Sequence, residues 1–200
     1  MKTGAQSGFT VIELLVVISI MAIMSGIVLA DYPQFNRLTS LERGAQLMAL
    51  TMRESETRAM SARGSAGVFT NRFGMHVDIS STGNPRQYIL FADTGGAANF
   101  YDLGEELFIH TLSPQVRINK ICRLLRDANP VTGECLYERL SITFERPAPV
   151  ISVYGAIGGN PPDDLGTGDF EIELITVDGS LLRCVAVWST GAISIESNPC

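Results

Sequence analysis

The sequence predicts an α+β protein, a long N-terminal helix packed against a mainly antiparallel β head. Three observations carry that expectation. Phe9 to Ala30 is an almost unbroken apolar run of 22 residues, and Leu41, Ala45, Met48, Met52, Ser55, Ala59 and Ala62 recur at alternating spacings of four and three. Beyond Gly64 the pattern changes to short alternating runs divided by turn-forming residues. The 200 residues hold one domain of ordinary size, or a smaller domain with an appendage. Charged residues at 18% fall below the usual roughly 25%, and mean hydropathy is +0.18, so apolar material is concentrated somewhere.

The first element is where it is concentrated. Between Phe9 and Ala30 only Thr10, Glu13, Ser19, Ser25 and Gly26 fall outside the hydrophobic set. As a helix the run measures roughly 33 Å, which matches a hydrocarbon core of about 30 Å. A secretory signal peptide has a similar profile, and Val28-Leu29-Ala30 offers the small residues that a signal peptidase accepts, so a soluble protein released after Ala30 is one reading. Glu13 argues against it. A carboxylate inside a membrane helix costs on the order of 2.5 to 3.5 kcal/mol, and residues kept at that cost are functional by default.

A short hydrophilic leader, Lys2-Thr3-Gly4-Ala5-Gln6-Ser7-Gly8, precedes Phe9-Thr10-Val11-Ile12-Glu13-Leu14-Leu15. The glycine, aromatic residue and glutamate at these offsets resemble the N-terminus of type IV prepilins, shared by type IV pilins, minor pilins and type II secretion pseudopilins. The resemblance implies a pilin-like fold and cleavage by prepilin peptidase after Gly8, followed by N-methylation of the new N-terminus, Phe9. It implies an assembly role for Glu13, whose carboxylate would neutralise the Phe9 amine of a neighbouring subunit in an apolar interior. Lys2 would hold the leader at the cytoplasmic face. Major type IV pilins commonly have a proline where this chain has Ala30; here the proline is Pro33, which favours a minor pilin or pseudopilin. Pro33 removes a hydrogen bond and crowds the carbonyl of Leu29, so a kink is expected near the membrane exit.

The second element is the helical stripe, expected to continue to about Arg63, with Glu42, Arg43, Arg53, Glu54, Glu56 and Arg58 on the opposite, solvated face. The expected organisation is thus a leader at 1–8, a transmembrane or filament-core helix at 9–30, an amphipathic stalk helix at 31–63 and a β-rich extracytoplasmic head at 64–200.

In the head, the runs Phe73 to Ile79, Gln87 to Ala92, Glu106 to Leu112, Val116 to Asn119, Leu140 to Phe144, Val150 to Tyr154, Phe170 to Thr176, Leu181 to Trp188 and Ala192 to Ile195 read as strands. Asp178-Gly179 marks the clearest hairpin, expected as a type I′ turn with positive φ at both residues. The spacing of the last strands is similar to the heads of minor pseudopilins of the GspH/FimT type.

Cys122, Cys135, Cys184 and Cys200 lie in a segment expected outside the cytoplasmic membrane, where disulfides form. Four cysteines allow three pairings. Cys122 with Cys135 would close a short loop over Asn129-Pro130, and Cys184 with Cys200 would tie the C-terminus to a strand. No C-x-x-C spacing or close histidine supports a metal centre, so structural bridges are expected.

Asp93, Asp102 and Glu105 stand on a glycine-rich stretch and supply the oxygen ligands that Ca²⁺ selects, but Thr94, Gly95 and alanines replace the alternating acidic positions, so a solvated turn between two strands is expected there rather than a metal site. Catalytic chemistry has little to draw on. There are two histidines, His76 and His110, no G-x-S-x-G, no H-E-x-x-H and no phosphate-binding loop, so neither an enzyme nor a cofactor is expected. The net charge of −6 lacks the attraction to phosphate that drives nonspecific nucleic-acid binding, although Arg117, Lys120, Arg123 and Arg126 form a local basic stretch.

Three functions follow: a filament subunit, a filament-borne binding module such as an adhesin or DNA-uptake pilin, and a soluble secreted protein. The resemblance favours the first. Its partners would be other pilins or pseudopilins, prepilin peptidase, an inner-membrane assembly platform whose ATPase supplies the energy, and membrane lipid before assembly. The precursor would sit in the bacterial inner membrane with its head in the periplasm or outside.

Overall fold

The computed structural model describes residues 9–61, 64–65, 68–69, 72–95, 99–125, 132–145, 150–166 and 168–196. The chain divides into two units, Met1–Leu38 and Thr39–Cys200.

One helix, α1 (Val11–Met60), passes through both. Thr10 caps it: its Oγ1 accepts the Glu13 N–H at 3.3 Å and its carbonyl accepts the Leu14 N–H at 3.2 Å. From Phe9 to Asn36 every described side chain is exposed. Pro33 stands inside the helix, which bends at the break between Ile27 and Tyr32, where the proline leaves the Leu29 carbonyl without its donor. Among the described residues no single helix is long and apolar enough to cross a membrane, whereas the bent pair Val11–Ile27 and Tyr32–Met60 passes that test together by length and composition.

In the second unit the stripe is the buried face of the helix. Leu41, Ala45, Met48, Met52, Ser55 and Ala59 are all essentially inaccessible; Ala62 lies outside the described residues. Gly44 lets the helix approach closely, since a Cβ there would sit 3.2 Å from Leu112. The helix ends at Met60 rather than near Arg63. There the Ser61 N–H is shared between the Thr57 and Arg58 carbonyls, which tightens the last turn. The opposite face is not uniformly solvated: Glu42 is bonded to Arg183, and Arg58 bonds Glu54 while its guanidinium lies 5.6 Å from the Phe108 ring.

Among the described residues thirteen strands follow: β1 (Gly64–Ser65), β2 (Val68–Phe69), β3 (Arg72–Asp78), β4 (Gln87–Ala92), β5 (Glu106–Thr111), β6 (Val116–Leu125), β7 (Thr132–Tyr137), β8 (Arg139–Glu145), β9 (Val150–Ala156), β10 (Asp163–Asp164), β11 (Asp169–Thr176), β12 (Leu182–Val187) and β13 (Ile193–Glu196). Every pairing is antiparallel, in a two-stranded ribbon β1-β2, a six-stranded sheet ordered β10-β9-β8-β3-β4-β5 and a five-stranded sheet ordered β13-β12-β11-β6-β7. Phe73, Met75 and Val77 pair with Phe144, Ile142 and Leu140 on the inner face of the larger sheet; Ile172 and Leu174 pair with Ile121 and Ile118 on that of the smaller. These rows and the helix stripe form one core. Burying each large apolar side chain contributes about 1.5 to 3 kcal/mol.

Two expectations need correction. The Val116 strand runs on to Leu125, with a bulge opposite Glu173 and Leu174, and it pairs with β7, which the glycine and cysteine of its Thr-Gly-Glu-Cys sequence had disguised as loop. The Asp178-Gly179 turn is not type I′. Gly179 alone has positive φ (74°), its N–H donates to the Thr176 carbonyl, and Asp178 Oδ1 instead accepts the Ser180 N–H. This is a type I turn followed by a left-handed glycine, and Trp188 to Gly191 repeats it with Gly191 at 89°.

Candidate functional site

At the N-terminus Gly8 lies outside the described residues. Phe9 is 80% exposed, and Glu13 occupies the first turn of α1, where a carboxylate complements the partial positive charge of the helix end. The Thr10-x-x-Glu13 spacing is that of a capping box, of which the structure forms the bond from the Glu13 N–H to Thr10 Oγ1.

The glycine-rich loop is organised by its own carboxylates. Glu105 Oε1 accepts the Thr94 N–H at 2.9 Å and the Gly95 N–H at 3.2 Å, and its Oε2 accepts the Asp102 N–H at 3.1 Å. Asp93 Oδ2 accepts the Asn99 N–H at 2.9 Å and lies 3.6 Å from Arg72. Both side chains are buried. Their oxygens therefore do the work of backbone acceptors in a loop with few other partners. Among the described residues no group of three or more histidine, cysteine, aspartate or glutamate side chains could hold a metal ion.

That loop folds back over the outer face of the six-stranded sheet, with Asn99 in the left-handed region (φ 64°), which asparagine tolerates better than most residues. The Tyr101 N–H donates to Ser141 Oγ, and Thr143 Oγ1 donates to Asn99 Oδ1. Beneath lies Gly74, where a Cβ would come 2.5 Å from the Ile142 carbonyl and 2.8 Å from the Phe91 ring. Antiparallel register sets His76 directly across from Ser141 and Ile89. His76 Nδ1 is 2.8 Å from Ser141 Oγ, and its ring meets Phe100 edge-on and Tyr101 at a tilt. Burial pushes the His76 pKa down to about 4, with Asp78 pulling it up and Arg139 pushing it further down. A lone histidine in a strand gave no sign of this; the period-2 alternation of β3 and β8 is the signal that places 74, 76 and 78 with 139, 141 and 143.

On the smaller sheet Cys122 and Cys135 form a disulfide between β6 and β7, at the register shift after Ile121. Cys184 is buried and disulfide-bonded; Cys200 lies outside the described residues. Glu171 and Glu173 share this outer face with Cys122 and Lys120. Asn119 and Lys120, doubled up by the bulge, both reach Glu173. Burial, then the charges of Glu196 and Glu173, raise the Glu171 pKa. Arg117, Lys120 and Arg123 are therefore strand residues interleaved with carboxylates rather than a helical or loop patch; Arg126 lies outside the described residues.

Residues 4–29 match the family described as the prokaryotic N-terminal methylation motif. Comparison with curated proteins and with solved structures finds no match. The motif implies a pilin or pseudopilin processed by prepilin peptidase and held in the inner membrane by its apolar helix before assembly with other pilins. Such subunits are typically structural rather than enzymatic.

Proposed function

We propose that the protein is a minor subunit of a type IV pilus or type II secretion pseudopilus, of the GspH/FimT type. In this reading it is cut after Gly8, N-methylated on Phe9 and built into a filament through its N-terminal helix, with the head outside the membrane. The observation that carries it is the methylation motif on a helix whose described side chains from Phe9 to Asn36 are all exposed. An apolar surface running all round a helix has to be covered, and the two covers that suit it are lipid before assembly and other such helices after it. Glu13 supports the reading, because a carboxylate within that cover needs a cationic partner, and a freshly cut N-terminus supplies one. The disulfide of Cys122 and Cys135, and a second of Cys184 with Cys200, would suit an oxidising compartment. Displacement of the proline to Pro33 supports a minor rather than a major subunit.

Intact mass of the protein extracted from membranes tests this. A chain beginning at N-methylated Phe9 is expected, and Gly8→Trp should leave uncut precursor in the membrane. A mature chain beginning at Asp31 overturns the filament reading in favour of a secreted protein.

A further inference from the structure

Two adjoining cavities open on the outer face of the six-stranded sheet, of about 240 Å³ and about 520 Å³, and His76, Asp78 and Tyr101 line both. As one trough they reach the size at which small-molecule sites occur, roughly 300 to 1,000 Å³. Asn84 and Gln87 line one end, and Phe100, Asp102, Leu103 and Arg139 the other.

The wall chemistry selects the ligand. His76 commits Nδ1 to Ser141, which leaves Nε2 for the trough its ring lines. Asp78 gives Oδ1 to the N–H and hydroxyl of Ser80 and retains Oδ2. Asn84 Oδ1 accepts the Arg86 N–H, so its amide nitrogen keeps its donors, and Gln87 adds a second amide. Arg139 is held by the Gly158 and Asn160 carbonyls and lies 5.8 Å from the Phe100 ring. Carboxylates and a guanidinium thus share one trough. A net cation meets Arg139, a net anion meets Asp78 and Asp102, and desolvating either opposite a like charge is costly.

A neutral ligand rich in hydroxyls has neither conflict. Its donors suit the carboxylate and its acceptors the amides. The apolar face of a pyranose ring suits the tilted Tyr101 ring, which Phe91 supports edge-on at 5.7 Å. Leu103, 94% exposed on the rim, widens the apolar lip.

We infer that this trough binds a neutral oligosaccharide, with Asp78, His76 and Gln87 bonding hydroxyls and Tyr101 lying against a ring face. The inference rests on the head alone, so it stands or falls separately from N-terminal processing and assembly.

The test is saturation-transfer NMR and titration calorimetry on the full chain in detergent. The probes are cellotriose, chitotriose, maltotriose and mannotriose, with lysine methyl ester and galacturonate as charged controls. Binding of at least one neutral trisaccharide is expected. Asp78→Asn and Gln87→Ala should each weaken it by about tenfold or more, as expected for losing a hydroxyl-bonding group. Gln87→Trp, which fills one end without removing a buried charge, should abolish it, and an unchanged thermal melt shows that each variant is folded. If Asp78→Asn unfolds because it loses Ser80, the two Gln87 variants decide. No binding of any trisaccharide, preference for a charged control, or binding untouched by the Gln87 variants overturns the proposal.

Discussion

Arg183 on β12 reaches across to α1 and places Nε 2.7 Å and a terminal guanidinium nitrogen 2.6 Å from one oxygen, Oε1 of Glu42. Register explains why an arginine is there: Arg183 pairs with Leu174, on the inner face of the five-stranded sheet. The Arg183 side chain is mostly shielded, at 19% exposure, while that of Glu42 at 38% keeps some contact with water. The pair ties the buried half of the helix to the sheet where the apolar row gives out.

Arg183→Met should keep most of the packing of the aliphatic stem and lose the pair. We expect about 1 kcal/mol of stability to be lost in urea unfolding of the full chain in detergent, more than for an exposed pair and less than for a fully buried one. Glu42→Gln should cost a similar amount, and the double variant should cost less than the sum of the two. Strict additivity would show that the contact carries no energy.

The Cys122–Cys135 bridge joins residues 13 apart in sequence. On the chain-entropy account a loop of about that size contributes about 3 kcal/mol by limiting the unfolded ensemble. The double variant Cys122→Ser with Cys135→Ser should unfold at correspondingly lower denaturant, and reducing agent should shift the wild type while leaving no further effect of this bridge in the variant. Cys122 is buried and Cys135 exposed, so the serine at 122 adds a small burial cost of its own.

Local periodicity made the helix stripe and most of the strands legible. Leu41 to Ala59 repeat at helical spacing because one face alone is buried, and Gln87 to Leu90 alternate in burial because the larger sheet has one inner face, while Phe91, buried on the outer face against Tyr101, breaks the pattern. The order of strands was not legible, since β3 pairs with β8 across sixty intervening residues and nothing local encodes that choice. Glu42 reads in the sequence as one of the solvated charges, because its meeting with Arg183 depends on that long-range order. The carboxylates Asp93 and Glu105 showed their residue type but not their partners, among them backbone amides that leave no mark in sequence.

His76 makes stability depend on pH. Its folded pKa of about 4 lies below the ordinary 6.5, mainly through burial, so between these values the unfolded chain binds a proton that the folded one refuses. Its contribution is fully present above about pH 6.5 and is lost as pH falls through the window down to about 4, by about 3 kcal/mol in all. Glu171 works in the opposite sense, because its raised pKa lets the folded state take up a proton first as pH falls. Unfolding free energies at pH 7 and pH 5 should therefore converge in His76→Gln relative to wild type, most clearly in a Glu171→Gln background. An unchanged pH slope in His76→Gln would locate the acid sensitivity elsewhere.

Glu13 has two separable roles, and the cap decides how to part them. The Glu13 N–H bond to Thr10 Oγ1 belongs to the backbone and survives replacement by leucine or glutamine, whereas the carboxylate is the group proposed to meet the Phe9 amine of a neighbour. Glu13→Leu removes a charge that is costly in lipid, so membrane insertion should be at least as efficient as in the wild type. Its incorporation into sheared filament fractions should nevertheless fall by about tenfold or more, the scale of losing one charge-assisted contact in an apolar setting. Glu13→Gln, nearly identical in shape, should fail in the same way. Thr10→Ala loses the cap at a cost of about 1 kcal/mol to the helix end but keeps the carboxylate, and it should still assemble. If Thr10→Ala fails as badly as Glu13→Leu while Glu13→Gln assembles, the residue matters for the helix end and not for its charge.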